Sequence, residues 1–202
     1  MTVYLVLGLT LGFAAAVQPG PLQAYLVSHA LTSGWRRALP AAAAPLLSDG
    51  PIAVVVLAIL VRIPAGLVHW LRVLGGAFLL FLAAGAARSW RRYDAAGPAA
   101  PAADRGLLRA AAVNLLNPGA WLGWSLVLGP VLLKAWHEAP VRGVAVVAAF
   151  YGAMIATNAA IVLLFHLTRA LGPKVNRVLI GVSALGLAAF GVYQLWLGVR
   201  PR

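Results

Sequence analysis

The sequence predicts an all-α integral membrane protein of about six transmembrane helices, arranged as two inverted three-helix repeats in which helices one and four are broken. Three observations carry that expectation. Of 202 residues, 62% are hydrophobic and only 10% charged, whereas a soluble domain is about half apolar and about a quarter charged. Apolar runs long enough to cross a bilayer, which takes about 20 residues, recur six times. Two of those runs, the first and the fourth, are cut by an amide residue followed by Pro-Gly.

The first run extends from about Val3 to Thr32 and is interrupted at Gln18-Pro19-Gly20-Pro21. Two prolines around a glycine remove backbone donors and break the helical ladder. Ala14-Ala15-Ala16 resembles a cleavage site, but no Lys or Arg stands before Phe13 and the apolar pattern resumes after Pro21. A retained first helix is expected rather than a signal peptide. The second run, about Ala38 to Val61, carries Pro40, Pro45 and Ser48-Asp49-Gly50-Pro51, and the third runs from about Leu67 to Trp90. A short polar, Ala/Pro-rich stretch, 91–105, reads as the linker between halves. The fourth run, about Leu107 to Leu133, is interrupted at Asn117-Pro118-Gly119. The fifth covers about Val144 to Leu171. The sixth, about Val175 to Val199, holds Gly181, Gly186 and Gly191, small residues that let helices approach. The chain is thus one polytopic domain, 1–202, with a first repeat of about 1–90 and a second of about 106–202. No length remains for a soluble domain.

Charge fixes the orientation. The net charge of +12 would suggest nucleic acid in a soluble protein, but the cations lie between apolar runs, where they hold cytoplasmic loops and contact anionic lipid. Arg36, Arg37, Arg88, Arg91, Arg92, Arg105, Arg109, Arg169, Lys174 and Arg177 fall on one side, against Arg62, Arg72, Lys134, Arg142, Arg200 and Arg202 on the other. The richer side is placed in the cytoplasm and both termini outside, in the inner (cytoplasmic) membrane. No nucleic-acid partner is expected. With no Cys, no His-x-x-x-His spacing among His29, His69, His137 and His166, and no Gly-rich phosphate loop, neither a metal site nor ATP nor any other cofactor is expected.

Asp49 is the most informative residue. Of four acids, Asp94 and Asp104 lie in the linker and Glu138 in a short loop, but Asp49 falls inside an apolar run. A carboxylate at that depth costs several kcal/mol unless it faces water or a partner. The alternative is a structural acid capping a helix interrupted at Gly50-Pro51. A pathway residue that exchanges a proton is the favoured reading. The broken segments, Gln18-Pro19-Gly20-Pro21 and Asn117-Pro118, free backbone groups that membranes tolerate where they line a cavity. Matching breaks in two inverted halves mark a transporter's binding site near the midplane. Asn114, Asn117, Trp121 and Trp124 share one helical face. The Trp pair is either lining or an interface anchor. Pro21, Tyr25 and Ser28 share a face, as do Tyr151 and Asn158. The tyrosines read better as plain interhelical hydrogen bonds. Gly8-x-x-x-Gly12 is a close-packing pattern.

In length, six runs, Pro19-Gly20-Pro21 followed by Gly34 and Arg36-Arg37, Asp49-Gly50, Gly75-Gly76-Ala77-Phe78 and Asn114-Leu115-Leu116-Asn117-Pro118, the chain resembles the lysine-exporter (LysE/RhtB) translocator family. The resemblance covers nearly the whole chain. It implies export of amino acids or related small metabolites, coupled to a proton gradient or membrane potential without ATP, and it places Pro19, Gly20, Pro21, Asp49, Asn117 and Pro118 in the transport pathway. Two departures stand out. Members commonly show glycine-rich spacing ahead of the second-helix acid, where this chain reads Ala41-Ala42-Ala43-Ala44-Pro45-Leu46-Leu47-Ser48. Gly119 follows Pro118, where many have Lys. Rival expectations are a non-transporting membrane scaffold, a cation exporter and a lipid-acting enzyme. A lone deep acid argues against the last two, since hard cations want several oxygens and catalysis wants paired groups. Such small halves leave little wall around a cavity, so a homodimer is an open expectation.

Overall fold

A computed structural model describes residues 1–18, 20–59, 65–91, 105–168 and 172–199. Pro19 and nearly all of the linker, with Asp94 and Asp104, lie outside the described residues. Every described element is helical. The first run forms α1 (Thr2–Val17) and α2 (Pro21–Ser33), bent by 65°. The second is a continuous path through α3 (Trp35–Ala38), a 3-10 stretch (Leu39–Ala43) and α4 (Ala44–Ile59). The third is α5 (Ala65–Arg91). The fourth divides into α6 (Gly106–Leu115) and, beyond a 60° bend, α7 (Pro118–Gly123), a π-helical turn (Trp124–Leu128) and α8 (Gly129–Glu138). The fifth and sixth are α9 (Pro140–Leu167) and α10 (Pro173–Val199).

Trp35–Ala58, Pro140–Leu167 and Arg177–Val199 are each long and apolar enough to cross a membrane, and the number becomes five if each bent pair is one span. The 27-residue α5 has the length for a sixth, since about 20 residues suffice.

Proline sterics place the breaks. A residue before Pro is pushed out of the α region, and the chain obeys at every break: Gln18 has ψ 121°, Asn117 has ψ 111° and Ala139, before Pro140, has ψ 133°. Gly20, before Pro21, is fully extended at φ −166°, ψ −179°. Pro21, Pro118 and Pro140 then open the following helices, where their missing N–H costs nothing. Pro51 inside α4 removes one rung of the ladder. Gly34, between α2 and α3, adopts φ 82°, ψ 160°, a conformation that belongs essentially to glycine.

Packing joins the halves. α1 lies against α9, and α5 against α10. At the first contact, a Cβ on Gly8 would meet the Val146 carbonyl at 2.6 Å, and one on Gly12 would run into the Phe150 backbone. Gly8-x-x-x-Gly12 therefore seats α1 on successive turns of α9. At the second, Gly76 and Gly191 meet backbone to backbone, each Cβ landing within about 3 Å of the other's carbonyl. Gly181 faces the Trp90 ring, whereas Gly186 has open space beside it. Large apolar side chains stand exposed on every long helix, among them Val3, Val54, Phe81, Leu126, Leu164 and Leu185. Such a surface is expected where the solvent is hydrocarbon.

Candidate functional site

The two breaks face one another across a cavity of about 410 Å³, within the range of small-molecule sites. Gln18 and Gly20 line it from the first break, Asn117 and Gly119 from the second, Asp49 from α4, and Gln194 from α10. Its apolar wall includes Leu11, Val127, Phe150, Met154 and Phe190.

Each break is stitched by a side chain from the half-helix that follows it. Gln23 Nε2 donates to the Ala16 carbonyl at 3.0 Å, and Trp121 Nε1 donates to the Leu115 carbonyl at 2.8 Å. Both carbonyls lie two residues before the extended residue that starts the break, where the interrupted ladder would leave acceptors unpaired in a water-poor setting. The following helices begin differently. Asn117 Oδ1 accepts from the Gly119 N–H at 3.0 Å and caps α7. No side chain caps α2, whose first ladder bond runs from the Ala24 N–H to the Gly20 carbonyl. Its N-terminal turn, Gly20 to Gln23, lines the cavity, so the positive end of the α2 dipole faces the space.

Asp49 stands near the middle of the Trp35–Ala58 span and is 4% exposed. Asn114 Nδ2 on α6 donates to Asp49 Oδ1 at 2.7 Å and to Ser48 Oγ at 2.7 Å. The Tyr151 hydroxyl on α9 donates to Asp49 Oδ2 at 3.2 Å, and the Ser48 hydroxyl donates back to the Ala44 carbonyl. The indole N–H of Trp124, buried beside the same carboxylate, stops short of a hydrogen bond. Trp124 sits at the start of the π-helical turn, an irregularity that recurs at functional sites. Asp49 thus borders the cavity while each of its carboxyl oxygens meets a donor, Oδ1 from α6 and Oδ2 from α9. Among the described lining residues it is the sole one with a formal charge. No group of three His, Asp or Glu side chains gathers among the described residues.

The structure places the sequence-derived candidates unevenly. Gln18, Gly20, Pro21, Asp49, Asn114 and Asn117 line the one cavity. Pro118 is buried at the start of α7 behind it, and Pro19 lies outside the described residues. Asn158 stands elsewhere: fully buried in α9, its Nδ2 reaches the Ala42 carbonyl at 3.4 Å while its Oδ1 has no partner. Of the Trp pair, Trp124 lines the cavity and Trp121 packs into the core to serve the break. Neither is an interface anchor. Tyr25 makes the plain interhelical bond expected of it, to the Gly106 carbonyl at 3.2 Å. Tyr151 instead bonds Asp49. Sequence reasoning passed over Gln23, Tyr193 and Gln194. Gln194, a buried amide in the sixth apolar run, carried the signal that could have found it, because an unexplained polar group at membrane depth asks for a partner or a cavity.

A model of the LysE type translocator family matches residues 13–198 of the chain. No curated protein and no solved structure matches it.

Proposed function

The chain belongs to the LysE type translocator family, a family of multi-pass membrane proteins that export small molecules, and from that premise we propose that it exports amino acids or related small metabolites across the cytoplasmic membrane, coupled to the proton gradient or the membrane potential. Membership sets it among transporters and not among enzymes. The observation that carries the proposal is the convergence of both broken spans and the deep Asp49 carboxyl on one cavity.

In this reading the ammonium group of the solute pairs with Asp49, and the uncapped start of α2 receives the acceptor end, since free N–H groups and the helix dipole favour a carboxylate there. Two inverted halves, about 1–90 and 106–202, rock against each other around the site. The arrangement of packing supports an interlocked pair: the first half-helix of each half lies on the middle helix of the other, α1 on α9 and α6 on α4. The bonds from Asn114 and Tyr151 to Asp49 cross between the halves, so a change of occupancy at Asp49 acts where the halves meet.

Flux from proteoliposomes preloaded with an amino-acid mixture, under an imposed proton gradient, tests the proposal. Wild-type protein is expected to release one class of solute, and Asp49→Asn to lose the gradient dependence. If neither protein moves any component of the mixture, the assignment fails.

A further inference from the structure

The cavity and the larger buried cluster occupy opposite ends of the bundle. From the breaks, the cavity wall extends along α1 to Leu11, along the π-helical turn to Leu128, and along α10 from Phe190 to Gln194. These stretches share the end of the bundle where α1 starts and α10 finishes. There the Arg142 guanidinium at the start of α9 lies over the Tyr4 ring, and Gly198 meets Val73 near the start of α5. At the other end a buried cluster joins α2, α5, α6, α9, α10 and the 3-10 stretch, among its members Leu26, Ala41, Leu82, Ala110, Val162 and Ala184. The second cluster borders the cavity. It draws on α1, α4, the broken fourth span and α9, and includes no described residue of α5 or α10. The α5–α10 pair and the rest of the bundle are thus joined at one end and parted by the cavity at the other.

α2 makes the join. It packs on α5, α6, α9 and α10, and its Tyr25 hydroxyl donates to the Gly106 carbonyl at the start of α6, 3.2 Å away, a bond between the halves. Tyr25 also stacks on His29, whose ring bonds the Arg37 carbonyl. Trp35 meets His166 at the same end. In the inverted-repeat reading α8 is the counterpart of α2, and α5 of α10. Yet α8 makes no packing on α5 comparable with that of α2 on α10. One of two equivalent contacts is made and the other is open.

We infer that this structure is the state open toward the membrane face at which α1 starts, and that the opposite state forms when α8 closes on α5 while α2 leaves α10, with the Tyr25–Gly106 bond as the latch of the closed end. This rests on the export reading above and narrows the rocking to these surfaces. Because one apolar contact forms as its counterpart parts, little net burial is lost, and a single neutral hydrogen bond is enough to bias the balance. Tyr25 is a positioning residue: it belongs to the closed cluster and is not among the described lining residues.

The cysteine-free chain allows a test by rates of reaction with a water-soluble maleimide in purified protein. Val127→Cys reports the open end, since Val127 lines the cavity and is exposed. Ala184→Cys reports the closed cluster, where Ala184 is buried. With Tyr25 in place, Val127→Cys is expected to react fast and Ala184→Cys slowly. Adding Tyr25→Phe should raise the Ala184→Cys rate about fivefold, the worth of one neutral hydrogen bond, and leave the Val127→Cys rate level or lower. A rise at both sites, the mark of a bundle loosened throughout, overturns the inference, as does an unchanged Ala184→Cys rate. Should Tyr25→Phe not fold, spin labels at Trp70→Cys on α5 and Lys134→Cys on α8, both exposed positions, decide the matter. Two distance populations, the shorter one α8 closed on α5, support the exchange, and a single long distance overturns it. Reciprocal labelling in protein that moves no amino acid keeps the gate and removes the export reading. Amino-acid flux with no change at Ala184→Cys does the reverse.

Discussion

At Asp49 the physical problem is a carboxylate near the middle of a span, where an unpartnered charge is expensive. The chain answers with two neutral donors from two different helices, Asn114 on α6 and Tyr151 on α9. Neutral donors lower the cost of the charged form without fixing it, which an arginine would do, and so leave the group able to change its state. Asn114 is the stronger partner by distance, and its amide also holds Ser48. Asn114→Leu keeps the volume and removes the donor, and is expected to lower stability by about 2 kcal/mol, the worth of a hydrogen bond to a charged group. Thermal unfolding in detergent measures this. Because the partner is Asp49, the loss should shrink in an Asp49→Asn background; strictly additive effects in that double-mutant cycle would mean the two side chains do not act together.

Among elements, the two broken spans share a construction that neither shows alone. Proline pushes the preceding residue into extended geometry, a second helix starts at the proline, and a side chain one turn further on reaches back to the last turn of the first half. Gln23 does this for Ala16 and Trp121 for Leu115. The stitches keep the bends at 65° and 60° without leaving acceptors bare. Gln23→Leu, similar in size, should cost about 1–3 kcal/mol by stranding the Ala16 carbonyl. It should also loosen the α1–α2 bend, which hydrogen exchange at residues 16–18 reports as faster opening. Unchanged exchange and melting would show that the Ala16 carbonyl finds water or another donor. The close contacts of Gly8 and Gly12 with α9 belong to the same scale. They anchor α1 against α9, while α2, beyond the bend, is held in the core by Leu22, Tyr25, Leu26 and Ala30.

Across the whole molecule, the exposed apolar helix faces suit a bilayer, and the placement of cations gives an expected orientation in it. Arg36 and Arg37 lie in the first turn of the second span, and His137 in the last turn of the fourth. All three are exposed. Positive residues stay on the cytoplasmic side, so Arg37→Cys is expected to react with a membrane-impermeant maleimide only in inside-out vesicles, and His137→Cys only in right-side-out ones. The absence of native cysteine makes each label unambiguous. The opposite pattern would invert the orientation, and reaction of both from one side would mean that a bent pair re-enters instead of crossing.

The sequence by itself determined the membrane class, the positions of both breaks, and Asp49 as the residue to explain. Each of these is a local or compositional property: hydrocarbon demands apolar runs, X-Pro sterics act on neighbours in the chain, and a carboxylate in an apolar run is anomalous wherever the fold puts it. Asn114 and Asn117 were legible for the same reason, as amides beside a break. Only the tertiary structure decided which polar groups share the cavity. Tyr151 and Tyr25 look alike in sequence, yet one meets Asp49 and the other a backbone carbonyl. Trp121 and Trp124 are three residues apart, yet the break and the π-helical turn send one to Leu115 and the other beside Asp49. Asn158 and Gln194 are both buried amides, and it is Gln194 that lines the cavity. Apart from the bond of Trp121 to Leu115, those outcomes depend on distances between residues about 65 to 145 positions apart in the chain, set by helix packing and by bends that no local pattern encodes.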